Sequence, residues 1–162
     1  EPVEISNFIA IAQTVMDEYD MTHKSKLNIV LFRYALEHLS RICRIISIPG
    51  GCGLLVGVGG SGRQSLTRLA SEMYNYNIFQ PAITKSYSFN EWRDDLKIIL
   101  MESGGKNRPT VFLFAEGQIK EEYFLQDIDC LLNSGEVPNI FTLDEQQSIL
   151  EMVRLAAQGG NR

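Results

Sequence analysis

From Leu54 to Ser71 the chain reads LLVGVGGSGRQSLTRLAS, an apolar run that enters a glycine loop and leaves it in a segment patterned as a helix. This feature restricts the fold most, because such a loop works only where a strand end and a helix N-terminus are held side by side. Gly57 and Gly62 have the spacing of the phosphate-loop pattern GxxxxGK[ST], but Arg63 stands at the lysine position and Gln64 at the hydroxyl position. Binding and hydrolysis therefore have to be argued separately.

Binding needs little from side chains. Glycines at 57, 59, 60 and 62 let the backbone wrap closely around an anion, and successive N–H groups at the following helix start present positive potential to it. The expected phosphate-binding residues are Gly57, Val58, Gly59, Gly60, Ser61, Gly62, Arg63, Gln64, Ser65 and Leu66. Arg63 keeps the charge of the usual lysine but is bulkier and planar, so it would sit differently against terminal phosphates. Gln64 offers a neutral carbonyl where a hydroxyl normally meets magnesium, and Ser65, about 100° further round a helix, is placed for an α-phosphate instead. In hydrolytic phosphate-loop proteins, the strand that here runs from Thr110 to Phe114 ends in an Asp for magnesium and often a Glu that polarises water. Here those positions are Ala115 and Glu116. Glu116 is the single catalytic candidate, and weak or absent hydrolysis is expected.

The rest of the chain reads as strands alternating with helices. Apolar positions from Leu27 to Ile46 (Leu27, Leu31, Tyr34, Ala35, His38, Leu39, Ile42, Ile46) predict a long helix, which Pro49-Gly50-Gly51 breaks. Gly53 to Val58 then suits a buried parallel strand. After the loop, Leu66, Leu69, Ala70, Met73 and Tyr74 keep helical spacing, and Ile78 to Tyr87 read as a looser strand region interrupted by Pro81. Ser88 and Glu91 form a capping box for a helix with Trp92, Leu96, Ile99 and Leu100 on its core face, and Gly104-Gly105 supplies the stop. Thr110 to Phe114 fits a central strand. Two further helices are predicted, one carrying Phe124, Ile128, Leu131 and Leu132, the other running from about Asp144 to Ala157 with Ile149, Val153 and Ala156 on one face. The expected architecture is α/β, three-layered, with a mostly parallel sheet.

A chain of 162 residues, 44% hydrophobic and 22% charged, has the composition of one globular domain. The net charge of -5, with scattered basic residues, argues against nucleic acid as a partner, and no apolar run approaches a membrane span. Three cysteines without a CxxC pair suit a reducing compartment; Cys43, Cys52 and Cys130 are expected to be small buried apolar residues. His23 and His38 are read as surface or packing residues, and no metal site is expected beyond magnesium carried by a nucleotide. Glu121, Glu122, Asp127 and Asp129 are read as a solvated helix face. The N-terminal residues, without an initiator Met, suggest a segment of a longer soluble protein.

The segments 31–45 (LFRYALEHLSRICRI), 54–69 (LLVGVGGSGRQSLTRL), 90–97 (NEWRDDLK) and 111–141 (VFLFAEGQIKEEYFLQDIDCLLNSGEVPNIF) together resemble the fourth AAA+ module of axonemal dynein heavy chains. GVGGSGRQS and NSGEVPN are far more specific than a generic phosphate-loop match. The resemblance implies a P-loop NTPase fold, the AAA+ large subdomain, in one partial module: long N-terminal helices over 1–48, a P-loop core over 53–142 and a C-terminal helix over 144–157. It makes Gly57 to Ser65 the Walker A segment and Ala115-Glu116 the Walker B end, where Ala115 departs from the family's Asp. A sensor residue and helical lid would follow in a whole module, and neither is recognisable after Phe141.

The resemblance further implies ATP or ADP as ligand, with magnesium possible but weakened. The implied partners are neighbouring AAA+ modules of the same heavy chain, the microtubule through the stalk of the parent protein, and dynein intermediate and light chains. The implied place is the cytoplasm and cytoskeleton, in the axoneme of a cilium or flagellum. The function expected is regulatory nucleotide binding in a microtubule motor. A structural AAA+ wedge with an empty site and a small P-loop phosphotransferase are the alternatives; the missing lysine and Asp count against the second.

Overall fold

The structure, a computed structural model, describes residues 4–159. It divides into two compact units, the first reaching to Ile78 and the second beginning at Phe79.

The first unit is helical: α1 (Ile5–Thr22), α2 (Arg33–Ile46) and α3 (Arg63–Met73). Its core joins Ala12, Met16 and Tyr19 of α1 with Leu39, Ile42 and Cys43 of α2 and Leu66, Leu69 and Ala70 of α3, closed by Leu27. The predicted helix from Leu27 starts only at Arg33. Asn28 takes a left-handed φ of 47°, which a helix interior does not accommodate, and the Leu27 N–H is drawn to Asp20 Oδ1 at 2.9 Å. The buried stripe of α2 is Ala35, Leu36, Leu39, Ile42 and Cys43; Tyr34, placed on that face by the sequence reading, is 61% exposed and meets His38 edge-on. His23 stacks on Tyr19 at 3.9 Å.

The strand expected over 53–58 does not form. A strand needs a hydrogen-bonded neighbour, and among the described residues none pairs with this segment. Leu54, Val56 and Val58 stand more than four-fifths exposed, while Leu55 alone packs against the core.

The second unit holds α4 (Phe89–Leu100), which runs on through a π-helical turn (Met101–Gly105), then α5 (Glu122–Ser134) and α6 (Leu143–Gly159). β1 (Asn77–Phe79) and β2 (Thr110–Phe112) form a small parallel sheet, which the Leu113 N–H extends by donating to Phe79 O at 2.8 Å. The looser strand predicted over 78–87 shrinks to β1, because Pro81 cannot continue a ladder.

The capping box of α4 forms as expected, with the Ser88 N–H donating to Glu91 Oε2 at 2.7 Å and the Glu91 N–H to Ser88 Oγ at 3.4 Å. Trp92, Leu96 and Ile99 are its buried face, packed with Phe124, Val137 and Ile140. Trp92 and Phe124 are fully buried with ring centroids 4.4 Å apart, and the indole N–H donates to Asp127 Oδ2 at 2.9 Å. Asp127, which also lies 3.6 Å from Arg93 Nη1, is therefore part of the packing rather than a solvated charge. Gly135 ends α5 in the left-handed conformation that favours glycine (φ 72°), and NSGEVPN then turns Val137 and Ile140 inward. Two of the apolar helix faces read from the sequence are not fully buried. Leu132 is 57% exposed, and α6 buries none of its residues, with Val153 42% exposed.

A second capping box, missed in the sequence, starts α6: the Thr142 N–H donates to Glu145 Oε2 at 2.7 Å and the Glu145 N–H to Thr142 Oγ1 at 3.3 Å. Lys97 Nζ adds a hydrogen bond to Glu145 Oε1 at 2.8 Å, and this ammonium, then the Thr142 N–H, hold the carboxyl below its ordinary value. A depressed carboxyl contributes stability above its unfolded pKa of about 4.3 and loses it as pH falls through the lower folded value. Lys97→Met is thus expected to melt below the wild type near neutral pH, with the gap closing in acid. A gap that stays constant with pH would remove this ion pair as its source.

Candidate functional site

The glycine loop lies wholly in the first unit, carried into place by α3. Leu66, Thr67, Leu69, Ala70 and Ser71 bury one face of that helix, while Thr67 Oγ1 donates back to Arg63 O at 2.9 Å and Ser71 Oγ to Thr67 O at 2.8 Å. The helix start is therefore fixed by the core beneath it. Its N-cap, Gly62, has φ 73°, and Gly60 has φ 77°, backbone conformations open to glycine at little cost. The Ser61 N–H closes a turn on Val58 O at 3.3 Å, and the Leu66 N–H makes the first helical bond to Gly62 O at 2.8 Å.

The start of α3 has no side-chain cap and no acidic residue in its first turn. Helix N-termini leave N–H groups without intrahelical partners and carry partial positive charge, so a start of this kind favours an anion. The chain thus juxtaposes an uncapped helix start, a glycine turn and a permanent cation, Arg63.

The predicted site residues are placed as follows. Gly57, Val58, Gly59, Gly60 and Ser61 are exposed, as is Gln64, while Gly62, Arg63 and Ser65 are half-buried. Leu66 is in the core with its amide already used, so it anchors the loop from below. Arg63 does not reach outward: Nη1 donates to Leu55 O at 3.3 Å and Nη2 to Val58 O at 3.2 Å. Nothing in the motif pattern announces this second use of the arginine, although a planar fork with two separate donor ends is the side chain suited to it.

Glu116 lies in the second unit, on a 3-10 turn (Glu116–Gln118) directly after the β2 segment, and is exposed. Gln118, which the sequence reading did not single out, builds this turn: its Oε1 accepts from the Ala115 N–H at 2.9 Å and from Gln80 Nε2 at 3.3 Å, and its Nε2 donates to Pro81 O. Ala115, with an apolar methyl, supplies no metal ligand.

Among the described residues no group of three or more His, Cys, Asp and Glu is arranged to hold a metal, and no helix is long and apolar enough to cross a membrane. The cysteines differ from expectation. Cys43 is buried, its thiol pushed up to about 11 by desolvation, but Cys52 is exposed and Cys130 half-buried. Cys52 belongs to the same unpaired segment as Leu54.

Residues 27–162 match the family model described as the P-loop containing dynein motor region D4. The chain is 44% identical over 158 residues to dynein axonemal heavy chain 3 of Mus musculus, covering 98% of this chain and 4% of that protein. It is 46% identical over 149 residues to dynein axonemal heavy chain 1 of Homo sapiens, 92% of this chain and 4% of that one. Against the dynein-1-beta heavy chain of the flagellar inner arm I1 complex of Chlamydomonas reinhardtii it is 52% identical over 134 residues, 83% of this chain and 3% of the other. The chain thus spans about 4% of the length of the first of these relatives. The similarity extends through the glycine loop, the Trp92 core and the Glu116 turn alike, and the chain belongs to the D4 motor-region family of dynein heavy chains, of axonemal type.

Proposed function

We propose that this chain is a regulatory nucleotide-binding module of an axonemal dynein heavy chain, with ATP or ADP as a conformational ligand and with little or no hydrolysis of its own. One observation carries the reading: the uncapped start of α3 behind a glycine turn, in which Gly60 and Gly62 hold left-handed φ values. Backbone N–H groups and the helix start suffice for the phosphates.

The same residues disfavour turnover. Gln64 and Ala115 replace a hydroxyl and a carboxylate that usually support magnesium, and the first turn of α3 has no acidic residue. These residues do not fit a protein-held magnesium site. Any magnesium present would be bound through the nucleotide's own phosphates. Glu116 is retained as the residue to orient a water.

Family membership supports the remaining assignments. The module takes the three-layer α/β form of a P-loop domain, 1–162 being one partial AAA+ module, and works in the cytoskeleton of the axoneme. Its partners are neighbouring AAA+ modules, the microtubule through the parent protein's stalk, and dynein intermediate and light chains. Nucleotide biases the ring through its differential affinity for two states.

A second reading, a structural wedge with an empty site, draws on the inward hydrogen bonds of Arg63. Calorimetric titration with ADP and with a non-hydrolysable ATP analogue, each with and without magnesium, separates the two. Binding heat that changes little with magnesium is expected. Absence of heat in all four titrations would favour the wedge.

A further inference from the structure

We propose that Arg63 is a clamp on its own loop, one that an incoming phosphate must take over. The inference rests on the phosphate-binding reading above and adds to it what opposes binding. The guanidinium joins the first residue of α3 to two carbonyls, Leu55 O just before the loop at 3.3 Å and Val58 O within it at 3.2 Å. Its stem runs beside Gly57, where an added Cβ would lie 3.6 Å from Arg63 Cδ and 3.7 Å from Nε. The side chain fills the space alongside the loop.

The clamped segment is out of place for its composition. Leu54, Val56 and Val58 are 89%, 83% and 82% exposed, and no strand pairs with them among the described residues. Exposed apolar side chains do not hold a backbone in position; the segment is tied to the unit by the burial of Leu55, by the turn the Ser61 N–H closes on Val58 O at 3.3 Å and by the two arginine hydrogen bonds. Both bonds are at or beyond the long end of the usual range and end on neutral carbonyls. A phosphate oxygen is the stronger acceptor for a guanidinium, and Arg carries its charge at every accessible pH. Phosphate binding and clamping therefore compete for the same two donor ends. Anion arrival frees 53–58, so ligand binding is coupled to release of a strand-like apolar segment, and affinity is reduced by the bonds that must be given up.

Lysine separates the two roles. It keeps the charge for phosphate, but its single, strongly hydrated nitrogen matches two separate carbonyls less well than a planar fork. In the whole 162-residue chain without ligand, elastase cleavage after Leu54, Val56 and Val58, mapped by mass spectrometry, is expected to be fastest in Arg63→Ala, intermediate in Arg63→Lys and slowest in the wild type. Helical circular dichroism shows whether each variant keeps its fold, and the conservative Arg63→Lys carries the test should Arg63→Ala not fold. ADP affinity by calorimetry is expected to rise about 10-fold in Arg63→Lys, the size of effect that losing two modest opposing hydrogen bonds allows. Equal cleavage rates in folded variants overturn the clamp whether or not ADP binds. Faster cleavage with ADP affinity equal to or below wild type overturns the competition. Faster cleavage with no ADP binding in any variant defeats the phosphate reading and the coupling built on it, and leaves the clamp standing.

Discussion

Trp92→Ala is expected to lower the stability of the unit from Phe79 onward by about 3–5 kcal/mol, the range for removing a fully buried large aromatic side chain. Trp92 has no solvent exposure and sits among Phe124, Phe114 and Phe112, with centroids at 4.4, 5.5 and 6.3 Å. Alanine would open a cavity among rings that are themselves held by one another, as Phe114 and Phe124 are, edge-on at 6.3 Å. It would also strip Asp127 of the indole N–H, leaving the carboxylate with Arg93 at 3.6 Å. Domain stabilities are about 5–15 kcal/mol, so this single loss consumes a large part of the total. Trp92→Phe, which keeps a ring and loses the hydrogen bond, is expected to cost roughly 1–3 kcal/mol. Thermal melts followed by far-ultraviolet circular dichroism check both, and an alanine variant melting as the wild type does would refute Trp92 as the centre of this core.

Gly62→Val is expected to remove nucleotide binding altogether while leaving most of the fold in place. Two effects act at that position. A β-branched residue at φ 73° is strained by at least about 1–2 kcal/mol. Yet an added Cβ at Gly62 meets no atom within 4 Å, so the ligand-free chain has room for the side chain. The room it would take is the space in front of the α3 start, where phosphate has to approach the backbone. Binding is therefore lost through occlusion, and melting temperature falls only by the strain. Gly104→Ala, outside the loop, is the control, since the space there is also open and its φ lies outside the left-handed range. Titration of both variants with ADP decides the matter: undiminished affinity in Gly62→Val would defeat the phosphate-loop assignment.

How much was legible in the sequence follows the range of the forces involved. The α4 capping box, the loop's glycine spacing and the start of α3 depend on residues within a few positions of one another, and each is seen where the sequence places it. The Thr142–Glu145 box was equally local and simply overlooked, which shifted the expected start of α6 by one residue. The long helix from Leu27 failed because periodicity registers which side chains prefer burial; Leu27 is indeed buried, but from an irregular segment turned by Asn28.

Segment 53–58 shows the same limit more sharply, since its apolar content predicts burial between strands and only a paired neighbour can make that real. The exposure of Cys52 belongs with it. Asp127 reads as surface charge until Trp92, 35 residues away, is packed against it. Glu116 is legible as a position after a strand, whereas the amide of Gln118 that shapes its turn reaches back to Gln80 and Pro81. By itself the sequence determined the glycine spacing of the loop, the capped start of α4 and the family, because these reside in local backbone freedom, capping hydrogen bonds and residue identity. Only the tertiary structure decided that Arg63 turns inward, that 53–58 stays unpaired and that Asp127 supports a core, because each depends on which donor or acceptor the folded backbone brings within about 3 Å, whether 5 residues away, as for Arg63 and Val58, or 35, as for Trp92 and Asp127.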